Sequence, residues 1–537
     1  MKHLNSKNMY VFSKSRTGEI VPALIQGNKP LHSMIDPKRE AQRIVSEIRQ
    51  DSFVICLGLG GGFIPQAVLE HSNAHVCVID FDKDSINELF ANKNYTELLK
   101  NERFSLLVDP SCEEIKTFIL EQYKPALFGH LKTIPLRTRI DINIPLFDSA
   151  ISSIKEAIEI VSRDYSVQAH FGKRMFSNII RNVVTMNNNF FYKENMNIHK
   201  AAIVAAGPSL NTQLPLVAKL KQDGVIIIST DTALPVLAHN KIKPDIIVSI
   251  DCQHIGFRHF ACTNERHLLK NIPIVFDITS PPVLIGFTTR PVFFSSGHPL
   301  ARYIANNWKP LPFLDMSGVN VTYACLSLAE YLKIQHITFF GADFSYIKSE
   351  SYARGTYMYP YFEKKQTRLL PLESQFSKFL YRTPFLPPED SNANNKNYYE
   401  TSTLRNYRKK LEEKISQMPA EFVCTKGLGA AVSINKEQII ENNRPLGFEQ
   451  LSINPAPKNL SASEFLERYR DDIAALPPAG ERENYFKRLN TKQIQIFTTL
   501  LPYMAWVRKR NPELNSRDLL EKTKHHCTAE INAVLQH

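Results

Sequence analysis

The sequence predicts an α/β chain in which two parallel-sheet domains are followed by a helical C-terminal domain. Two blocks of continuous apolar runs alternate with amphipathic stretches, and each block contains a glycine turn between a run and the stretch that follows. Uninterrupted apolar strands separated by helices belong to parallel sheets covered on both faces. From Ser402 onward the apolar residues take up helical spacing instead. With 537 residues, the chain has room for about three domains at roughly 100–200 residues each.

Residues 1–150 form the first of these domains, after a short β-rich lead that includes TGEIVPALI. Asp36-Pro37 opens a helix through Ile48, because Asp suits the N-cap and Pro the first helical position. FVICLGL then reads as a buried strand, GGGFIPQAVLEHS as a turn into a helix, and AHVCVIDFD as the next strand. Residues 151–200 are a helical linker ending in the Asn-rich TMNNNFFYKENMNIH. Residues 201–360 are the central domain, with strands in AAIVAAG, VIIIST, DIIVSID, PIVFDIT, PVFFSS and HITFFGAD. Helices are expected over 214–222, 233–239 and 321–332. Ser345 to Tyr361 holds five Tyr, and Pro384 to Asn397 is a polar loop. Residues 361–537 are mostly helical: Phe465, Tyr469, Ile473 and Leu476 share one apolar face, and helices follow over 484–501 and 516–535.

Composition narrows the function classes. At 43% apolar and 22% charged residues, the chain is neither disordered nor fibrous. No run approaches the ~20 apolar residues of a bilayer span; the best, Ile272 to Phe287, is broken by Asp277 and Pro281-Pro282. The start of the chain has no apolar core of a secretion signal. Eight Cys without a C-x-x-C pair argue against a disulfide framework or zinc ribbon and for a reduced, cytoplasmic setting. The net charge of +12 contains no run of five or six like charges, which speaks against a nucleic-acid partner and leaves a solvated basic surface or attraction of an anionic small molecule or partner.

Two turns are candidates for ligand binding. In the first, Gly58-Leu-Gly60-Gly61-Gly62 follows a strand, and Asp80 and Asp82 end the next strand. Such a turn either meets an anion with its N–H groups while a carboxylate takes ribose hydroxyls, or merely lets strand and helix pack closely. Pro65 and Phe63 crowd it. In the second, Gly207-Pro208-Ser209-Leu210 joins a strand to a helix. Gly207 permits close approach, Ser209 or Asn211 caps the helix, and its free N–H groups face a phosphate. Asp231 lies 24 residues beyond Gly207, and Asp251 and Asp343 end later strands. Three carboxylates at the C-terminal ends of parallel strands border one crevice.

The turn GPSL, the stretch DTALPVLAHNKIKPDIIVSID and the run SGVNVTYACLSLAEYLKIQHITFFGADFSY together resemble the motility accessory factor (Maf) glycosyltransferases, and the same block occurs in MptE-like pterin diphosphokinases. LHSMIDPKREAQRIV, the GLGGG turn and the helical C-terminal region fit the Maf pattern, so the resemblance covers the whole chain. It implies two Rossmann-like domains, a CMP-sugar donor, and transfer of a nonulosonic acid of the pseudaminic or legionaminic type onto Ser or Thr of flagellin in the cytoplasm. GPSL is also similar to the CMP-binding turn of bacterial sialyltransferases. On this resemblance Gly207, Pro208, Ser209, Leu210 and Asn211 hold the nucleotide, with Asp231 and Asp251 bordering ribose and sugar. Ser317, Gly318 and Asn320, at a helix start, meet the donor's carboxylate or phosphate, and Asp343 completes the crevice. Arg354, in the Tyr-rich loop, pairs with the donor's anionic groups.

Glycosyl transfer needs stabilisation of the departing phosphate and a base for the acceptor hydroxyl. Asp251, Asp343 and His298 are the candidates for the base, with His298 also readable as an ordinary loop histidine. No cofactor is certain, and a divalent cation such as Mg²⁺ is the candidate for stabilising the departing phosphate. A diphosphokinase would instead use Asp231 and Asp251 as Mg²⁺ ligands, although no Walker lysine is present. A third class, a non-enzymatic flagellin-binding assembly factor, needs neither site.

Overall fold

The computed structural model describes residues 9–186, 199–261, 269–347, 350–387, 398–434, 460–480 and 484–536. Most of the Asn-rich end of the expected linker, and the expected polar loop beyond residue 387, lie outside them. The chain divides into two compact units, Met1–Lys173 with Arg468–Gln536 and Arg174–Glu467.

The first unit opens with an antiparallel sheet of β1 (Tyr10–Lys14), β2 (Ile20–Leu24) and β3 (Lys29–Pro30). Asp36 caps the helix Pro37–Val45 by accepting the Arg39 N–H at 3.0 Å. A parallel sheet follows from β4 (Ser52–Leu57), β5 (His75–Asp80), β6 (Phe104–Val108) and β7 (His130–Pro135), in the order β6-β5-β4-β7. All six residues of β4 are buried, as its unbroken apolar run requires. The C-terminal helices Thr491–Arg510 and Ser516–Leu535 belong to this unit. Arg508 ties the first of them down by donating to the carbonyls of Ala126 and Leu127 at 2.7 and 2.8 Å. A Cβ on Gly172, in the helix Ile144–Thr185, would fall 1.8 Å from the Pro502 carbonyl, so glycine is what lets the two helices meet.

The second unit is a seven-stranded parallel sheet. Its strands are β8 (Lys200–Val204), β9 (Ile226–Thr230), β10 (Ile246–Ser249), β11 (Ile274–Asp277), β12 (Pro291–Phe294), β13 (His336–Phe340) and, after the small pair β14 (Tyr346–Ile347) and β15 (Tyr398–Tyr399), β16 (Glu421–Cys424). The order is β12-β11-β10-β9-β8-β13-β16. From β8 the chain steps outward one strand at a time to β12, then returns to the other side of β8. The reversal between β8 and β13 is the switch point, outside whose carboxyl ends such sheets bind ligands. The helix Val321–Tyr331 packs on β8, β9 and β10 through eight buried residues in succession from Thr322 to Ala329.

Expected boundaries at 150, 200 and 360 are not where the units divide. The long helix Ile144–Thr185 spans the division at residue 173, the region beyond 361 supplies β16 to the central sheet, and the last helices complete the first unit.

Candidate active site at the strand ends of the second unit

At the switch point, the Gly207 N–H donates to the Gly341 carbonyl at 2.9 Å. A Cβ on Gly207 would fall 2.3 Å from Asp343 Oδ2 and 2.4 Å from that carbonyl, so only glycine fits. Asp343 Oδ2 accepts the Ser209 N–H at 2.8 Å. Burial pushes the Asp343 carboxyl up, and hydrogen bonds from Ser209 and the Gly429 N–H pull it back. Asp343, expected among the reacting groups, is a brace: its carboxylate fixes the turn from inside.

The remaining turn N–H groups are also engaged. Leu210, Asn211 and Thr212 donate to the carbonyls of Gly207, Pro208 and Ser209 at 3.0, 3.2 and 3.2 Å. No side chain caps the helix Leu210–Gln222. The expected cap by Ser209 or Asn211, and the expected free N–H groups, are therefore not what the turn presents. Ser209 Oγ accepts the Leu428 N–H at 2.9 Å, and Gln213 Nε2 reaches the carbonyls of Thr425 and Lys426 at 3.4 and 3.2 Å. Residues 425–430, which follow β16, thus lie against the turn. Cβ atoms on Gly427 and Gly429 would come within 2.5 Å of Ser209 Oγ and 2.7 Å of Asp343 Cβ. The sequence reading missed this segment; its one signal was the closely spaced pair Gly427 and Gly429.

Asp231 and Asp251 end β9 and β10. Asp231 is 4% exposed, its Oδ2 accepting from Ser249 Oγ at 2.8 Å and its Oδ1 from Thr232 Oγ1 at 3.1 Å. Asp251 Oδ1 accepts the Gln253 N–H at 2.8 Å. Burial raises the Asp251 carboxyl above its ordinary range and the Asp231 charge adds to that, while Gln253 and the nearby His259 oppose it. His259, on the short helix Ile255–Ala261, was not singled out from the sequence. Its ring meets that of Tyr357 edge-on at 4.7 Å between centroids. The same helix carries Arg258, which lies over the Tyr361 ring at 4.2 Å and lines a pocket of about 450 Å³ with His254, Ile255, Phe257 and Val283.

The Tyr-rich loop docks on the turn. Ala353 donates its N–H to the Ala206 carbonyl at 2.8 Å, and Arg354 donates its N–H to Asn211 Oδ1 at 3.0 Å. The Arg354 guanidinium, 75% exposed, pairs with Glu350 at 3.0 Å. Farther along, Tyr352, Tyr357, Tyr359 and Tyr361 pack around Met358, Phe362 and Phe376.

Ser317, Gly318 and Asn320 form a helix cap. Asn320 Oδ1 accepts the Tyr323 N–H at 3.0 Å, and its Nδ2 donates to the Gly318 carbonyl at 2.9 Å. Ser317 Oγ meets the Tyr323 hydroxyl at 2.8 Å, which in turn donates to Asp315. Buried Lys414 bridges Asp315 and Glu330 at 3.4 and 2.7 Å. Asn320's amide is therefore spent within the loop and is not free for a donor. Between them Val319 is held at φ 54° and is 66% exposed. A β-branched residue in the left-handed region costs about 1–2 kcal/mol, so Val319→Gly is expected to raise stability by about 1 kcal/mol after glycine's own entropy cost, measured by urea unfolding. His298 caps the helix Pro299–Asn307 by accepting the Leu300 N–H at 3.2 Å, and burial pushes its imidazole down to about 4. His298 is thus a neutral helix cap through Nδ1, while its Nε2 is buried without a hydrogen-bond partner.

The GLGGG turn of the first unit is filled by its own chain. His32 Nε2 accepts the Gly61 N–H at 2.8 Å, and the Tyr95 hydroxyl donates to the Gly60 carbonyl at 2.7 Å. Asp80 is fully buried, paired with Arg139 at 2.9 Å and accepting the Leu59 and Phe81 N–H groups at 2.7 and 2.8 Å. Asp82 caps the next helix by accepting the Asp84 N–H. Burial drives the His32 imidazole down to about 3, so it stays the neutral acceptor that this contact needs. Of the two readings of the turn, the geometry favours close packing.

Comparison with known proteins adds four findings. The family described as 6-hydroxymethylpterin diphosphokinase MptE-like matches residues 173–349. A Treponema pallidum (strain Nichols) protein, described only as uncharacterized, is 37% identical over 148 residues, 27% of this chain and 51% of its own. The chain thus spans about half of that relative. A second T. pallidum protein, described in the same way, is 34% identical over 166 residues, 30% of this chain and 77% of its own. The chain belongs to that protein's family. A Maf glycosyltransferase from Magnetospirillum magneticum AMB-1 superposes with a TM-score of 0.54 and 14% identity, covering 99% of this chain and 93% of its own. The fold is the Maf fold, with an MptE-like region at its centre. The MptE-like match contains Asp231, Asp251 and the GPSL turn but not β16 or the segment after it. Among the described residues no helix is long and apolar enough to cross a membrane.

Proposed function

We propose that this protein is a glycosyltransferase that moves a CMP-activated nonulosonic or related sugar onto Ser or Thr hydroxyls of flagellin in the cytoplasm. The observation that carries the reading is the pair Asp231 and Asp251, at adjacent strand ends beside the switch point of a sheet in the Maf fold. The GPSL turn and Asn211 wall the nucleotide end of the crevice. Arg354 exchanges Glu350 for the donor phosphate, since a guanidinium pairs with phosphate as readily as with carboxylate. Asp231, locked by Ser249 and Thr232, orients sugar hydroxyls. Asp251, whose carboxyl is raised above its ordinary range by burial, assists removal of the acceptor proton.

The MptE-like match favours one second reading, an Mg²⁺-dependent diphosphokinase acting on a pterin-type alcohol. Among the described residues no group of three or more His, Cys, Asp or Glu is placed to hold a metal ion. Asp231 and Asp251 already take hydrogen bonds from Ser249, Thr232 and Gln253. Thermal unfolding with each ligand separates the two readings. A ligand at 100 times its Kd stabilises by about 2.7 kcal/mol. CMP is expected to raise the melting temperature and ATP with Mg²⁺ to leave it unchanged; the reverse pattern would establish the kinase.

A further inference from the structure

We propose that His259 takes the proton of the acceptor hydroxyl, with Asp251 holding the imidazolium that results. The inference rests on the glycosyl-transfer reading and names the base within it.

His259 is 6% exposed, and its Nδ1 is buried without a hydrogen-bond partner. Buried ring nitrogens are normally satisfied, and one that is not awaits a ligand or water. A second such atom belongs to the same neighbourhood. Thr356 is fully buried and its Oγ1 has no partner, and Thr356 directly precedes Tyr357, the residue whose ring touches His259. One unsatisfied atom thus lies on the ring at this aromatic contact and the other on the residue next to Tyr357 in sequence.

The charged and titratable groups around the imidazole fit the role. Asp251 comes from the end of β10, Arg258 from the helix of His259 itself, and Tyr357 from the loop. Arg258 is turned to the Tyr361 ring. Asp231 acts through Asp251, whose charge it repels and His259 attracts. Asp251 is the poorer direct base, since its Oδ1 is held by the Gln253 N–H at 2.8 Å. A carboxylate beside a histidine instead stabilises the ring once it is protonated.

In the step itself, the bond between the donor's anomeric carbon and the CMP phosphate oxygen breaks, and its electron pair leaves on the phosphate. The acceptor oxygen bonds to that carbon, and its proton passes to Nδ1 of His259, which later releases it to water. Tyr357 covers the ring, so the acceptor side chain enters by displacing the loop.

The test follows CMP release and flagellin mass with CMP-pseudaminic or CMP-legionaminic acid, whichever the wild-type protein turns over. His259→Gln is expected to slow transfer about 10²–10⁴-fold while CMP affinity by calorimetry and the melting temperature stay unchanged. Added imidazole is expected to restore part of the rate in His259→Ala. Transfer by His259→Gln within threefold of wild type would overturn the role of His259 and leave the transferase reading standing. A rate loss matched by an equal loss of CMP affinity, or no rescue of His259→Ala, would make His259 a structural residue. A wild-type protein that turns over neither donor would overturn the transferase reading and His259's role together.

Discussion

Asp251→Asn is expected to abolish sugar transfer, lowering the rate about 10²–10⁴-fold, without unfolding the protein. The substitution keeps an oxygen to accept the Gln253 N–H, so the strand end retains its geometry and only the charge is lost. The sign of the stability effect follows from the carboxyl's raised position. A group whose folded pKa lies above its unfolded value favours the fold at low pH and loses that contribution as pH rises through the folded pKa. At neutral pH the ionised Asp251 is therefore a burden, and the neutral amide is expected to leave the melting temperature unchanged or slightly higher. Asp231→Ala is expected to abolish transfer as well, but at a cost in stability, because it strips the Ser249 hydroxyl of its buried acceptor. Flagellin of normal mass shift from both variants would remove these residues from the reaction.

Asp80→Asn carries the largest expected loss of stability, about 3–5 kcal/mol. Asp80 and Arg139 have no exposed side-chain surface, so removing one charge leaves the other uncompensated in a dry interior. The same carboxylate also accepts the Leu59 N–H of the GLGGG turn and the Phe81 N–H beside it. The double variant Asp80→Leu/Arg139→Met is expected to lose less than the single one, because no unpaired charge remains. Urea unfolding reads both, and a single-variant loss below about 1 kcal/mol would mean that water reaches the pair.

Much of the central sheet was legible. The strands β8 to β13 announce themselves because each is buried on both faces and must be apolar throughout. β16 does not, since its four residues alternate between exposed and half-buried at an edge and follow a highly charged helix, so nothing in EFVC separates it from its surroundings. Asp343 shows the limit of the strand-end signal: a carboxylate there looks the same in sequence whether it faces a ligand or a neighbouring turn. The filling of the GLGGG turn was hidden for a related reason. His32 reaches it through one side-chain-to-backbone bond from a distant loop, and such a contact leaves no periodicity. His259 sits alone on a seven-residue helix with no motif spacing, and only the unpartnered nitrogen draws attention to it.

The chain's two ends make one unit, and the other is inserted between them. A ribosome therefore delivers the inserted unit whole, ready to collapse on contacts of its own, while the first half of the enclosing unit waits for helices made after it. Arg508 and its carbonyl partners at Ala126 and Leu127 lie more than 380 residues apart, and distant pairings of that kind slow folding. Nascent chains are thus expected to carry a folded second unit while the first is still incomplete, with the apolar surface meant for the C-terminal helices open to chaperones until those helices are made.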